Sequence, residues 1–344
     1  MKTSDFNFEL PDHLIAQRPC QERGQSRLMI LDRKTGTRQH AMVSDLPNHL
    51  EEGTVLVFNN SKVRKARLFG LCEKTGAKNE FLLLNKIDDH SWQVISKHSK
   101  RKKPGDIYVF KDNIKAILVQ SESTDNSGLV LCFETPINDE WLERYGHIPL
   151  PPYIKREDTA DDSNRYQTVY AKQTGSSAAP TAGLHFTNEL LAQLDSAGME
   201  SVFITLHVGL GTFLPVRTQN IEEHNMHEES FTINTEAAEI IEKARKENRK
   251  ILAIGTTSLR TLESAWQQEH GRLQRGQAST SIFIYPGYNF KITDMLFTNF
   301  HTPMSTLLML VSAFAGKDFI MEAYKEAIKK EYSFFSYGDA MLIM

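Results

Sequence analysis

The sequence predicts an α/β protein of two domains: a discontinuous α/β major domain and an inserted small all-β, barrel-like domain. Three observations carry that prediction. After about Arg165 helical and strand patterns alternate, which is the texture of an α/β sheet domain. Between Val63 and Pro149 short apolar runs repeat without a helical period between them, as in a sandwich or barrel. The chain has 344 residues, more than the roughly 150 of one ordinary domain. The expected division is 1–62 and 151–344 for the major domain and 63–150 for the insert.

The elements follow in order. Ser26 to Asp32 and Gly53 to Asn60 are apolar runs closed by turn residues, so both read as strands. Glu80–Leu84, Ser91–Ile95, Asp106–Phe110 and Leu129–Phe133 are the short strands of the insert, parted by turns such as Lys103-Pro104-Gly105-Asp106. Ile148-Pro149-Leu150-Pro151-Pro152-Tyr153 is a stiff extended exit. Glu157 to Asn164 is strongly polar and reads as a mobile loop. Thr187 caps a helix to Ala197, with Leu190, Leu191 and Leu194 at helical spacing. Val202–Leu206 is a strand, Thr235–Glu247 a helix, Lys250–Ile254 a buried strand and Ser281–Tyr285 another strand. Ser258 to Gln268 reads as another helix, with Thr257 or Ser258 as its cap. Leu307–Ala315 is too short to cross a bilayer and reads as a buried helix.

Composition narrows the function classes. Three isolated cysteines, Cys20, Cys72 and Cys132, exclude a disulfide framework and a CxxC zinc site, and fit reduced thiols in the cytoplasm. The N-terminus lacks a signal-peptide pattern, so neither export nor a membrane is expected. The net charge is −3, yet Ser61 to Lys115 holds 14 Lys and Arg against 6 Asp and Glu. That split points to a polyanionic partner gripped by the insert, with Arg67, Lys100, Arg101, Lys102 and Lys103 as the candidate contacts. A charge run can equally be a solvated face.

Five segments could carry chemistry. Ala178 to Thr187 is rich in small residues and leads into a helix start, so backbone near Thr181 and Gly183 can approach an anionic ligand. His185 there is either a proton-transfer group or a core histidine. His207-Val208-Gly209-Leu210-Gly211-Thr212 follows a strand, although it lacks the third glycine of a dinucleotide fingerprint. His224-Asn225-Met226-His227-Glu228 offers a His/Glu pair for acid–base work; with no HExxH order, and a third ligand available only from elsewhere in the chain, no metal is expected. Gly255-Thr256-Thr257-Ser258-Leu259-Arg260 joins a glycine turn to a hydroxyl run and an arginine that can fork onto a carboxylate or phosphate. Tyr285-Pro286-Gly287-Tyr288, with Asn299 and His301, could sandwich and read a base. Each segment also has a plain structural explanation.

Taken together, and in this order, the segments resemble the S-adenosylmethionine:tRNA ribosyltransferase-isomerases of queuosine biosynthesis. The resemblance rests on Phe8-Glu9-Leu10-Pro11, Ala66–Gly70, Gly146–Ile154 and Tyr166–Tyr170. It continues through Ala178–Thr187, Leu206–Phe213, Gly255–Glu263, Ile282–Tyr288, Thr298–His301 and Phe335–Met341. It implies transfer and isomerisation of the ribosyl part of S-adenosylmethionine onto 7-aminomethyl-7-deazaguanine at the tRNA wobble position. Epoxyqueuosine would form, with adenine and methionine released. It implies S-adenosylmethionine as a consumed co-substrate, no permanent cofactor and no metal; a cytoplasmic monomer is expected. His185, His227 and Glu228 are then the expected acid–base residues. The glycine, hydroxyl and aromatic turns would hold substrate. Two other readings stand beside it: a methyltransferase using the same donor, and a non-catalytic RNA-binding protein.

Overall fold

The computed structural model describes residues 1–97, 102–120, 128–209, 216 and 218–344. The strands before and within the insert are β1 (Arg27–Leu31), β2 (Arg38–Met42), β3 (Val55–Asn59), β4 (Ser61–Val63), β5 (Arg67–Cys72), β6 (Lys78–Lys86), β7 (Ser91–Ser96), β8 (Ile107–Val109), β9 (Lys115–Gln120) and β10 (Leu129–Phe133). After it come β11 (Gln173–Ser176), β12 (Glu200–Leu206), β13 (Glu229–Ile233), β14 (Ile251–Ile254), β15 (Trp266–Gln267), β16 (Arg272–Leu273), β17 (Gly276–Thr280), β18 (Met295–Asn299) and β19 (Ala340–Ile343). The helices are α1 (Asp139–Tyr145), α2 (Asp162–Arg165), α3 (Asn188–Ser196), α4 (Thr235–Lys246), α5 (Thr256–Ala265), α6 (Thr306–Ala315) and α7 (Lys317–Lys329).

The chain divides into two compact units. One comprises Met1–Lys62, Pro151–Arg156 and Arg165–Met344; the other comprises Val63–Leu150 and Glu157–Asn164.

The first unit is built on a nine-stranded sheet, ordered β17-β13-β12-β3-β14-β18-β19-β1-β2. Its middle, β12-β3-β14-β18, is parallel. Such strands must be covered on both faces, which explains their unbroken apolar runs. Alternate residues go to opposite sides: Val55, Val57, Ile251 and Ala253 face one core, Leu56, Phe58, Leu252 and Ile254 the other. The first core is closed by residues of α4, α5, α6 and α7, and the second by residues of α3, including Leu190 and Leu194. Helix starts follow side-chain chemistry. Thr187 accepts from the Leu190 amide at 3.1 Å, Asn234 from Ala237 at 2.7 Å and Ser305 from Leu308 at 3.2 Å. The apolar run after Thr306 is helix α6, buried along Leu308–Val311.

The second unit contains a closed barrel, β10-β7-β6-β5-β8-β9. All its pairings are antiparallel, and Leu68, Phe81, Trp92, Val94, Tyr108, Leu118 and Leu131 fill its interior. Gly70 lets the Phe110 ring close in, since a Cβ there would stand 2.9 Å from it.

Four local expectations are corrected. Ser281–Tyr285 is not a strand. The pairing strand is the preceding Gly276–Thr280, joined to β13, and the Ile282 amide turns onto the Thr280 hydroxyl at 3.1 Å instead of a ladder. Apolar character there reflects packing of Ile284 into the core. Helix α5 begins at Thr256, capped by neither Thr257 nor Ser258; Gly255 precedes it at φ +89°. It also ends early, at Ala265, where the chain turns into the β15–β16 hairpin. Glu157–Asn164 includes the start of α2, ordered because Asp162 is buried and accepts from the Thr159 amide and hydroxyl.

Candidate active site

Ligands of open α/β sheets bind beyond the carboxyl ends of the parallel strands. Here those ends are Gly255 after β14, Asn299 and Phe300 at the end of β18, and His207-Val208 after β12. They open on a cleft whose empty space, open solvent at its mouth included, is about 730 Å³. Ala178-Ala179-Pro180-Thr181-Ala182 form one wall, Gly255-Thr256-Thr257 another, and Thr298 to Thr302 the strand end. Tyr153, Val208, Leu307, Phe335 and Ser336 complete it. The first turn of α5 therefore faces the cleft, and the leading amides of a helix have no acceptor within it. The oxygens Thr257 Oγ1 and Asn299 Oδ1 are buried and have no hydrogen-bond partner among the described residues. Buried polar atoms are normally satisfied, so two such atoms in one cleft mark a place for a ligand.

The strand end is tightly tied. The Asn299 Nδ2 group lies 3.0 Å from His185 Nε2 and donates to the Phe335 carbonyl at 3.1 Å. Phe335 holds that carbonyl in place at φ +72°, a left-handed conformation costly for a bulky residue. The turn around it is pinned by Asp339, which accepts from the Ser333 amide at 2.8 Å and pairs with Arg27. A Tyr153–Phe335 ring pair, centroids 4.6 Å apart, walls the cleft nearby. His301 Nε2 shares a 3.0 Å hydrogen bond with the Thr298 hydroxyl. Burial pushes the His301 imidazole down to about 3. His185 is pushed down to about 4, by burial first and the nearby Arg23 charge second. Both rings are therefore neutral at pH 7.

The sequence candidates fall into three groups. Thr181, Thr256, Thr257, Asn299 and His301 line the cleft, and His185 touches it through Asn299. A second group stands behind the walls. Gly183 admits Tyr170, whose hydroxyl would lie 2.1 Å from an added Cβ. His207 packs on Gly175, with 2.8 Å between its Cε1 and the position of a Cβ. Ser258 is fully buried. Arg260 forms a buried ion pair with Glu229, whose other oxygen accepts from the Gly209 amide at 2.9 Å. The third group is set apart from the cleft lining. His227 and Glu228 are exposed ahead of β13, and Glu228 accepts from the Ser279 hydroxyl. Tyr285 and Tyr288 flank a turn closed by a 3.1 Å backbone bond, and Tyr288 donates to Glu263 at 3.2 Å. Gly211, Thr212, Lys100 and Arg101 lie outside the described residues.

In the barrel unit Arg67 is ion-paired to Glu80 at 2.8 Å and Asp158 at 3.4 Å. Lys102 donates to the Lys97 carbonyl at 2.8 Å and lies 5.7 Å from the centre of the Phe81 ring, while the Lys103 side chain is exposed. Among the described residues no group of three or more His, Cys, Asp or Glu is placed to hold a metal ion. No described helix is long and apolar enough to cross a membrane.

Sequence reasoning missed Tyr153, Phe335, Ser336 and Glu229. Tyr153 and Phe335 stand inside motifs the family resemblance uses, but nothing local marks either as a cleft wall. Glu229 sits one residue beyond the Glu228 chosen for chemistry. Strand alternation makes one side chain of such a pair buried and its neighbour exposed.

The Queuosine biosynthesis protein family model matches residues 3–343. The S-adenosylmethionine:tRNA ribosyltransferase-isomerase of Treponema denticola is 52% identical over the full length of both chains. The protein of the same name from a Thermoanaerobacter species is 50% identical, again end to end. The crystal structure of the S-adenosylmethionine tRNA ribosyltransferase of Thermotoga maritima is 35% identical, covers 99% of this chain and all of its own, and superposes with a TM-score of 0.56. The cleft at the strand ends, with its helix start and unpartnered polar atoms, thus belongs to a chain that is a member of the queuosine biosynthesis ribosyltransferase-isomerase family.

Proposed function

We propose that this enzyme transfers and isomerises the ribosyl moiety of S-adenosylmethionine onto 7-aminomethyl-7-deazaguanine at the wobble position of tRNA. The product is epoxyqueuosine in tRNA, and adenine and methionine leave. The observation that carries this reading is end-to-end identity of about one half with relatives named for the activity. The cleft supports it. It has an anion-favouring helix start for the methionine carboxylate. Its walls of small residues let backbone approach a nucleoside, and positioning supplies much of the barrier reduction in a multistep rearrangement.

The chemistry sets what the chain must do. The sulfonium acidifies the adjacent C5′ hydrogen, so a base removes it; adenine leaves once a ring nitrogen is protonated; methionine leaves as a neutral thioether. Thr181, Thr256, Thr257, Asn299 and His301 bind S-adenosylmethionine in this reading, while Glu229 holds the Gly209 amide and pairs with Arg260. His227 and Glu228, exposed just ahead of β13, are the candidates for proton transfer. Lys102 and Lys103, with Lys100 and Arg101, contact tRNA phosphates. The enzyme works in the cytoplasm as a monomer, without a metal.

The test is a release assay with S-adenosylmethionine and tRNA bearing the 7-aminomethyl base. Adenine and methionine should appear in equal amounts, and only when that base is present. Appearance of S-adenosylhomocysteine instead would make the protein a methyltransferase.

A further inference from the structure

Asn299 is buried at the carboxyl end of β18, with 2% of its surface exposed, and it lines the cleft. Which way its amide faces is decided by chemistry. The group 3.1 Å from the Phe335 carbonyl must be the NH2, because that carbonyl can only accept. The second hydrogen of the same NH2 points to His185 Nε2, 3.0 Å away. His185 Nε2 is thus an acceptor, its ring neutral with the proton on Nδ1. Both donors of Asn299 are used, and the oxygen Oδ1 is left buried and without a partner among the described residues.

We propose that Asn299 Oδ1 is the acceptor that reads the exocyclic amino group of the adenine in S-adenosylmethionine, and that His185 is a positioning residue that fixes the amide for this purpose. The proposal rests on the cleft being the S-adenosylmethionine site. It commits to adenine because Asn299 is 2% exposed where it lines the cleft, a depth that a small diffusing substrate reaches more readily than a base carried on a folded tRNA. An acceptor presented this way favours an amino group twice over: it forms a hydrogen bond with N–H and repels a carbonyl oxygen placed there. It also gives His185 a role that uses no proton transfer.

The test is equilibrium binding, without tRNA, of S-adenosylmethionine and of its 6-oxo counterpart, S-inosylmethionine. The wild type should prefer the amino compound by at least about 50-fold, the loss expected when a buried acceptor goes unmet. His185→Phe removes one of the two acceptors that hold the amide and leaves only the Phe335 carbonyl, so Asn299 is less firmly oriented and the preference should fall several-fold below the wild-type ratio. His185→Gln restores an acceptor and should stay within about threefold of the wild-type ratio. Asn299→Ala should lose the preference altogether. A ratio is insensitive to any unfolded fraction, so a poorly folding variant still reports. Equal binding of the two compounds by the wild type, or a preference unmoved in both His185→Phe and Asn299→Ala, overturns the proposal and leaves the substrate assignment standing. Binding of neither compound overturns both.

Discussion

His185 and His301 show how burial fixes a protonation state and links it to stability. Their imidazoles are pushed down to about 4 and about 3. Between those values and the unfolded value near 6.5 the unfolded chain binds more protons, so stability rises with pH there. Their contribution is complete above about pH 6.5 and is lost as pH falls to about 4 for His185 and about 3 for His301, on the order of 3 kcal/mol for His185 and 5 kcal/mol for His301. Thermal unfolding should therefore give a midpoint that drops from pH 7 to pH 4.5, less steeply in His185→Gln; an equal slope in both proteins would contradict the assignment. The Glu229–Arg260 pair gives a second residue-scale prediction. Both side chains are buried, so Glu229→Ala strands a guanidinium and should cost about 3–5 kcal/mol in urea unfolding. Glu228→Ala, one residue away and exposed, should cost less than about 0.5 kcal/mol, while lowering turnover at least about 100-fold if it moves a proton. Normal turnover would remove Glu228 from the chemistry.

At the scale of elements, two glycines act differently. Gly255 follows β14 at φ +89° with nothing closer than 3.5 Å to an added Cβ, so Gly255→Ala meets backbone strain and no clash. It should cost about 1–2 kcal/mol and weaken S-adenosylmethionine binding by tilting the start of α5. Gly183→Ala meets the Tyr170 hydroxyl at 2.1 Å and should destabilise by about 1–3 kcal/mol, with affinity per folded molecule little changed. Calorimetry alongside ligand titration separates the two. The same elements show what the sequence made legible. Parallel strands such as Val55–Asn59 and Ile251–Ile254 announce themselves as apolar runs, and Thr187 and the helix after Thr235 by cap and period. Gly276–Thr280 hides, because a polar edge strand looks like a loop, and the apolar Ser281–Tyr285 misleads because core packing needs no strand. At the site, Gly255, Thr256, Thr257 and Asn299 could be picked from their turns. Tyr153 and Phe335 could not, since they meet only through the left-handed turn at Phe335, a contact between residues far apart in sequence.

At the scale of the whole molecule, the fold class was open to reading because two textures, alternating α/β and repeated short strands, occupy separate stretches of chain. Charge was harder to read. Arg67, counted in the cationic surplus of the insert, is held by Glu80 and Asp158. Arg67→Ala should therefore lower the stability of the barrel unit. Lys103→Ala should instead lower tRNA affinity and reduce the slope of log K against log salt by about one, read by binding titrations across salt concentrations. An unchanged slope would take Lys103 off the phosphate backbone. Whether this cleft rebuilds S-adenosylmethionine into a tRNA modification is decided by mass analysis of nucleosides. The tRNA would carry 7-aminomethyl-7-deazaguanine and be incubated with S-adenosylmethionine and the enzyme. Conversion of that nucleoside to epoxyqueuosine is expected; an unchanged nucleoside, or one heavier by a methyl group alone, would rule the assignment out.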